Sequence, residues 1–245
     1  MSFKMELSDT KILKNIFKSF KGFTDFVELN ITDESLSANI MDTSHIGLMH
    51  FELKEELFDF YKADDLHKVL VDLDNLIDCV ELLGKDDRVI LSGSDEELII
   101  VGEGESTTEF IIKTIHEDYD APKPPVLKPE AIVELSTDVF YETLKKVKNF
   151  NNEKICFEIN EDVFRSVCET DDVELTSEYV HGEKVEGEYK SIYNIKMLLD
   201  FMKSKDLSDI IKVSFGQDTP IKLCFVTVDE NAILSMILAP RIEND

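Results

Sequence analysis

The sequence of 245 residues is short of basic side chains, and its few cysteines are scattered. It has 26 Lys and Arg against 52 Asp and Glu, a formal net charge of −26, which argues against a uniformly basic grip on nucleic acid. Cys79, Cys156, Cys168 and Cys224 form no CxxC pair and have no zinc-like spacing. We therefore expect buried thiols in a reducing compartment rather than a disulfide framework.

Long apolar runs are also missing. The longest, residues 232–240, contains Ser235 and is about half of the ~20 residues that a membrane span needs. The first letters, MSFKMELSDTKILK, show neither an apolar run nor a small-residue cleavage site, so we expect no secretion signal and a soluble chain. The 43 % of apolar residues can still build a core in one large domain or in two of about 100 to 120 residues.

The motifs of common enzymes are absent as well. There is no GxxxxGK(S/T) or GxGxxG phosphate loop and no GxSxG nucleophile turn. His45 and His50 are five residues apart and point to different sides of a strand or helix, so they are poor candidates for a shared metal ion. We predict no catalytic residue, no metal ligand and no cofactor. The alternative is an acidic hydrolase with an unrecognised site, which requires clustered carboxylates of raised pKa in a cleft.

What the sequence does contain is a duplication. The letters ELSDT at residues 6–10 and ELSTD at residues 134–138 each end a strand-like stretch and open a helix-like one. In both halves alternating stretches follow, then a second helical pattern at residues 72–83 or 191–202, then further strands. The order strand, helix, strands, helix, strands therefore occurs twice. It predicts an α+β fold of two similar domains, each with antiparallel sheets and two helices.

A proline-rich segment separates the two halves. Residues 117–129 hold four of the six prolines, and proline fixes φ and removes a hydrogen-bond donor, so this segment is predicted to be an extended surface connector. We place the N-terminal domain at residues 1–116 and the C-terminal domain at residues 130–245.

Three of the four predicted helices have lysines on the side turned away from their apolar residues. This pattern favours a basic surface that contacts phosphates without reading bases, although the alternative is an ordinary solvated helix face. The helix at residues 72–83 instead has an acidic stripe of Asp74, Asp78 and Glu81, and a helix N-terminus explains only the first of these. The lysines of the predicted basic surface are Lys11, Lys14, Lys18, Lys21, Lys145, Lys148, Lys196 and Lys203.

Two short segments identify a family. MDTSHIGLM at residues 41–49 resembles the M-D-x-S-H-V-x-L segment of the proliferating cell nuclear antigen family, the sliding clamps of archaea and eukaryotes. LAPRIE at residues 238–243 resembles the family's terminus, and the duplicated layout with a connector matches over essentially the whole chain. The resemblance implies a ring of three subunits around duplex DNA, with helices lining the hole and sheets outside. Asp78 and Glu81 depart from the family pattern, which has basic residues at those places.

The resemblance also implies two further surfaces. Subunits would join through edge strands at residues 109–115 and 172–177, although ordinary internal strands are the alternative, and the contacting residues would be Phe110, Ile112, Val173 and Leu175. Short peptides with a glutamine and paired aromatics would bind an apolar pocket under the connector, whose own apolar residues could instead pack on their own domain. By position, the pocket residues are Met41, His45, Ile46, Leu48, Val126, Leu127, Pro220, Ile237, Leu238, Ala239 and Pro240.

The predicted function is therefore that of a DNA sliding clamp without catalysis of its own. The implied partners are double-stranded DNA, DNA polymerase, flap endonuclease, DNA ligase and a clamp loader, and the implied assembly is a homotrimer without a membrane partner. The alternative is a checkpoint-type or heteromeric clamp subunit that acts as an interaction hub. The location would be cytoplasmic in an archaeal-type cell or nuclear in a eukaryote.

Overall fold

The computed structural model describes residues 2–150 and 153–242, which form two compact units. The first unit contains the residues up to His45, Met49–Lys123 and Thr227–Leu234. The second contains Ile46–Leu48, Pro124–Val226 and the residues from Ser235 onward. Two short segments are therefore grouped with the unit that is remote from them in sequence.

The first half of the chain forms nine strands and two α-helices among the described residues. In chain order these are β1 (Phe3–Leu7), α1 (Thr10–Phe20), β2 (Phe26–Ile31), β3 (Ser35–Met41), β4 (Gly47–Lys54), β5 (Phe60–Ala63), β6 (His67–Asp72), α2 (Leu73–Leu82), β7 (Arg88–Gly93), β8 (Glu97–Glu103) and β9 (Thr107–Lys113). A 3-10 turn at Glu55–Leu57 precedes β5.

The strands of this half form two hydrogen-bonded sets. One has the order β5-β1-β7-β8-β9, in which neighbouring strands are antiparallel, and the other runs β4-β3-β2-β6, in which β2 is antiparallel to β3 and to β6. Helix α1 buries Leu13, Ile16 and its two phenylalanines because these residues recur every three or four positions. The rings of Phe17, Phe20 and Phe51 meet at centroid distances of 5.8 to 5.9 Å and form the centre of this core.

The second half repeats the order with eight strands and two α-helices in its described part. These are β10 (Ala131–Ser136), α3 (Thr137–Asn149), β11 (Lys154–Ile159), β12 (Val163–Glu169), β13 (Glu174–Val180), β14 (Tyr189–Asn194), α4 (Ile195–Phe201), β15 (Ile210–Phe215), β16 (Ile221–Val226) and β17 (Ala232–Leu238). A 3-10 segment, Met202–Leu207, continues α4.

The strands of the second half also form two sets, in the orders β13-β12-β11-β14 and β10-β15-β16-β17. Buried and open residues alternate along β11 and β12, so one face of that sheet is covered and the other is open. The covered side holds a cluster of aromatic rings at centroid distances of 5.2 to 6.5 Å, formed by Phe140, Phe157, Phe164, Tyr193 and Phe215. The predicted α+β class is confirmed.

Helix starts follow the cap residues in three cases. The side chain of Asp9 accepts from the Lys11 N–H (2.8 Å), and that of Asp72 accepts from the Asn75 N–H (2.8 Å). Asn194 caps α4, whereas Ser136, the N-cap residue of α3, makes no such side-chain bond. The Thr137 N–H there donates to the Asp209 carbonyl instead.

The fourth helix is shorter than its sequence pattern predicts. The pattern covers residues 191–202, but Ser191 to Asn194 belong to β14, where their backbone pairs with β11. The Asn194 side chain caps the first turn of α4 and fixes the point at which the helix begins. The residues before this cap therefore remain in the strand. None of the helices in the described ranges is long and apolar enough to cross a membrane.

Candidate DNA and peptide interfaces

The lysines of α1 lie on its open side, but they are not equally free. The Lys14 ammonium donates to the Leu83 carbonyl and, at 3.4 Å, to the Glu81 carbonyl, both at the C-terminal end of α2. Lys21 lies 3.9 Å from the Glu81 carboxylate. Lys14 therefore acts as a cap for α2, where a cation also interacts favourably with the helix dipole.

The same contacts account for part of the acidic stripe on α2. Asp74, Asp78 and Glu81 are all exposed, as the sequence predicts. Asp74 lies in the first turn of the helix, and Glu81 pairs with Lys21 of α1. The sequence offered no partner for Glu81 because the two residues are sixty positions apart. Nothing in the structure explains Asp78.

Of the remaining α1 lysines, Lys11 and Lys18 are exposed. Lys11 has a distant ion pair with Asp9 at 3.8 Å, and within the described ranges Lys18 donates only to the Asn15 side chain, at 3.4 Å. Both ammonium groups therefore keep most of their contact with solvent.

Helix α3 also has lysines on its open side. Lys145 pairs with Glu142 at 2.9 Å and lies 5.2 Å from the centre of the Tyr141 ring. The hydrogen bond with Glu142 raises the pKa of Lys145, which therefore stays charged. Lys146 and Lys148 are exposed and have no ion pair with any residue that the structure describes. Lys146 is not among the lysines that the sequence predicts for the basic surface, although it is exposed like Lys145 and Lys148.

The two lysines of the last helical segment share one partner. Lys196 lies 3.3 Å and Lys203 2.7 Å from the carboxylate of Asp200. Lys203 belongs to the 3-10 segment rather than to α4. An open cavity of about 470 Å³ separates α4 from the end of α3, and its lining includes Lys148, Lys196 and Asp200. The structure thus brings Lys148 and Lys196 to one cavity of the second unit.

The turn before β4 explains the first motif of the sequence. Buried Asp42 accepts from the Ser44 N–H through its carboxylate (2.8 Å) and from the His45 N–H through its carbonyl (3.0 Å). His45 has φ of +59°, a left-handed conformation that histidine tolerates better than most residues. The turn leaves Ile46 40 % exposed.

The predicted pocket residues differ greatly in accessibility. The Ala239 N–H donates to the Ile46 carbonyl (2.8 Å), which joins the two motifs through their backbones. Pro220, Ile237, Ala239 and Pro240 are half-buried, as is Leu127, while Val126 is 92 % exposed. Met41, the last residue of β3, is also half-buried, and His45 is exposed.

Two of the predicted pocket side chains belong to the core. Leu48 and Leu238 are 4 % and 1 % exposed, so their side chains are not open to a ligand. Leu238 follows the period-two alternation of β17, because its neighbours Ile237 and Ala239 are half-buried. Leu48 does not follow the alternation of β4, since both of its neighbours, Gly47 and Met49, are also buried, and only the tertiary structure shows that this side chain is covered. In motif LAPRIE, Glu243 lies outside the described residues.

Strands β9 and β13 stand at one edge of the five-stranded and of the four-stranded sheet, and each has seven residues, against four in β5 and six in β14 at the opposite edges. Phe110 and Leu175 are half-buried, and Val173, just before β13, is exposed. Ile112 is 7 % exposed and faces the core, whereas its neighbour Ile111 is 53 % exposed and was missed. Alternation along β9 is again the signal that would have found it.

Comparison with known proteins agrees with the resemblance read from residues 41–49 and 238–243. A family model described as proliferating cell nuclear antigen, N-terminal domain, matches residues 2–120. The DNA polymerase sliding clamp of Methanothermobacter thermautotrophicus is 34 % identical over 241 residues, covering 98 % of each chain. The clamp of Methanobrevibacter smithii is 32 % identical over 243 residues and 99 % of each chain.

Solved structures share the fold. The proliferating cellular nuclear antigen of Entamoeba histolytica superimposes with a TM-score of 0.89 at 20 % identity, covering 98 % of this chain and 99 % of that one. A chain of the PCNA2–PCNA3 complex of Sulfolobus tokodaii gives a TM-score of 0.89 at 19 % identity and covers 98 % and 100 %. On its whole-length identity to curated clamps, the chain belongs to the proliferating cell nuclear antigen family, the DNA sliding clamps.

Proposed function

We propose that three copies of this chain close into a ring around duplex DNA and tether replication and repair enzymes to it, without catalysis by the chain itself. The observation that carries the proposal is the 34 % identity, over 98 % of the chain, to a protein named DNA polymerase sliding clamp. The cytoplasm of an archaeal-type cell, or a nucleus, is the corresponding location.

In this proposal the DNA-facing residues are the exposed helix lysines. Lysine is a compact point charge that binds phosphates without reading bases, so a ring lined with lysines can hold the duplex and still slide. Lys18 and Lys148 have the ammonium groups that are freest for phosphates, and we add Lys146 to them. Four other lysines would contact phosphates while each keeps a local ion pair: Lys11, Lys145, Lys196 and Lys203. The weakest phosphate contacts would come from Lys14 and Lys21, because both are engaged with α2.

The ring would close by pairing β9 of one copy with β13 of the next. Both strands are sheet edges. A head-to-tail interface between two different edges produces a closed ring when the rotation from one subunit to the next closes after a whole number of copies. The apolar contacts would come from Phe110, Val173 and Leu175. The proposed set of contact residues also includes exposed Ile111 in place of Ile112, whose side chain is buried.

Partner enzymes and a clamp loader would bind through short peptides at the surface beside Ile46. Exposed Val126 of the connector and half-buried Leu127, Pro220, Ile237 and Pro240 supply apolar area that a peptide could cover. DNA polymerase, flap endonuclease and DNA ligase are the proposed partners.

The proposed domain boundaries are residues 1–116 for the N-terminal domain, 117–129 for the connector and 130–245 for the C-terminal domain.

The proposal is tested by topology. The subunits are assembled on a nicked circular plasmid, and the plasmid with its bound protein is isolated by gel filtration. Protein that surrounds DNA stays on the circle and leaves after one restriction cut, and blocking the new ends retains it. Protein that leaves circle and linear DNA equally fast would contradict encirclement.

Charge reversal tests the lysine assignment in the same assay. Lys146→Glu with Lys148→Glu should shorten the half-life on the circle by about tenfold at roughly 0.1 M salt, because each copy loses two phosphate contacts. Lys212→Glu with Lys222→Glu is the matched control, since these exposed lysines on β15 and β16 change the net charge equally. Equal losses in both variants would mean that net charge, and not the helix face, holds the DNA.

A second candidate function is that of one subunit of a heteromeric clamp. The acidic stripe of α2 favours it, because Asp78 and Glu81 stand where the family resemblance leads one to expect basic residues. The mass of the purified chain, measured from low salt to about 1 M, separates the two. Three copies at any salt support the homotrimer, and single copies throughout support the heteromeric subunit.

A further inference from the structure

The edge strand β9 carries mainly negative charge. Together with the turn before it, residues 103–113, it has the exposed acids Glu103, Glu105 and Glu109 and a single cation, Lys113. Lys113 is already paired with Glu97 of β8 at 2.8 Å. The open side of this edge therefore offers no free cation to a neighbouring strand.

The edge strand β13 is more acidic still. Residues 169–180 contain five acids and no Lys, Arg or His. One of the five, Glu178, accepts hydrogen bonds from Arg165 of β12 at 2.7 Å and is balanced within its own sheet. Asp171, Asp172 and Glu174 are exposed and form no ion pair with any described cation.

Both edges also carry apolar side chains. On the open face of the β5–β9 sheet, Ile99 lies opposite Ile111 and Ile90 lies opposite Val101, so an aliphatic patch reaches the β9 edge. On the other edge, Val173 and Val180 are 43 % and 82 % exposed at the two ends of β13. Matching apolar groups at the two edges favour a second copy of this chain as the occupant.

Apolar attraction and charge repulsion between the β9 and β13 edges depend differently on salt concentration. Paired strands lie about 4.8 Å apart, and like charges opposite one another are destabilising. Repulsion between charges extends over about 30 Å at 0.01 M salt but only about 8 Å at 0.15 M, whereas apolar contact does not need low salt. Each copy also brings a net charge of −26, which adds to the repulsion.

We propose that ionic strength controls ring closure of this clamp, so that β9 of one copy joins β13 of the next only when salt screens the acids of the two edges. This inference rests on the proposed ring. It gives closure a salt dependence opposite in sign to that of DNA binding, which weakens as salt rises. Retention on circular DNA should therefore pass through a maximum as salt increases.

The test is the mass of the full-length chain in KCl from about 0.02 M to 1 M, by sedimentation velocity at fixed protein concentration. We expect single copies of 28.1 kDa at the lowest salt and a shift to three copies as salt rises. Choline chloride should act like KCl, because the effect is screening and not binding of one cation.

Two variants localise the effect. Asp172→Asn with Glu174→Gln should lower the apparent dissociation constant of the ring about tenfold near 0.02 M salt and less than twofold above 0.5 M. Glu56→Gln with Asp65→Asn is the matched control, because it makes the same change in net charge at exposed residues outside β9 and β13. The control should follow the unmodified chain.

Each outcome has a definite meaning. Rings that are complete at every salt concentration, or that fall apart as salt rises, would overturn the inference and leave the proposed ring intact. A control variant that assembles as readily as the β13 variant would attribute the effect to net charge and overturn the role of the edges. Single copies at all salt concentrations would overturn the proposed homotrimer itself.

Discussion

Replacing Lys14 by alanine should destabilise the protein, although the sequence places this residue among the DNA-facing lysines. Its ammonium donates to carbonyls of Leu83 and Glu81, the last acceptors of α2. Hydrogen bonds from charged groups contribute about 1.5 to 3 kcal/mol and the helix dipole about 0.3 to 1 kcal/mol. Lys14 is half-exposed and one bond is long, at 3.4 Å, so we expect a loss of about 1 to 2 kcal/mol.

Urea unfolding followed by circular dichroism measures this loss, and amide hydrogen exchange localises it to the last turn of α2. Lys18→Ala is the matched control on the same helix, because Lys18 is exposed and its ammonium has one long hydrogen bond, to the Asn15 side chain, among the described residues. We expect the control to change the free energy of unfolding by less than about 0.5 kcal/mol. Equal effects of the two substitutions, or unchanged exchange in α2, would refute the capping role of Lys14.

Two further predictions concern stability. Gly93→Ala should cost about 1 to 3 kcal/mol, because the new methyl group would lie 2.2 Å from the Glu97 carbonyl oxygen. Gly182→Ala, whose methyl group meets nothing within 4 Å, should be nearly neutral in the same urea titration. Burial raises the pKa of Tyr193 and of Tyr61 well above the usual 10.0. The unfolded chain then loses these protons first, so stability should hold below about pH 10 and fall above it, by up to about 1.4 kcal/mol per pH unit for each tyrosine. Unfolding at pH 9 to 11.5 tests this, and Tyr193→Phe should flatten the decline; an unchanged decline would contradict it.

The elements of the fold were largely predictable because they follow local periodicity. The pattern at residues 72–83 predicted α2 within one residue at each end, since Asp72 both ends the strand and caps the helix. The helix predicted at residues 191–202 was wrong at its start, because the order of polar and apolar residues from Ser191 to Asn194 fits a strand as well as a helix. Only the pairing with β11 decides between the two.

The candidate surfaces were predictable in residue type but not in accessibility. The family resemblance carried by residues 41–49 and 238–243 supplied the pocket positions. Resemblance assigns a residue to a place, however, and cannot tell whether its side chain is buried, as it is in Leu48, Leu238 and Ile112. The partner of a surface charge is equally hidden when, as for Lys21 and Glu81, it lies on another helix.

The sequence by itself determined the duplication, the α+β class, the open basic sides of three helices and the membership in the clamp family. Each of these follows from patterns of residues that are close together along the chain. The tertiary structure decided which lysines are free, which apolar residues face solvent, and that the edge strands β9 and β13 are both acidic. Such properties depend on pairs of residues that are distant along the chain, and only the packing of helices and the order of strands brings those pairs together.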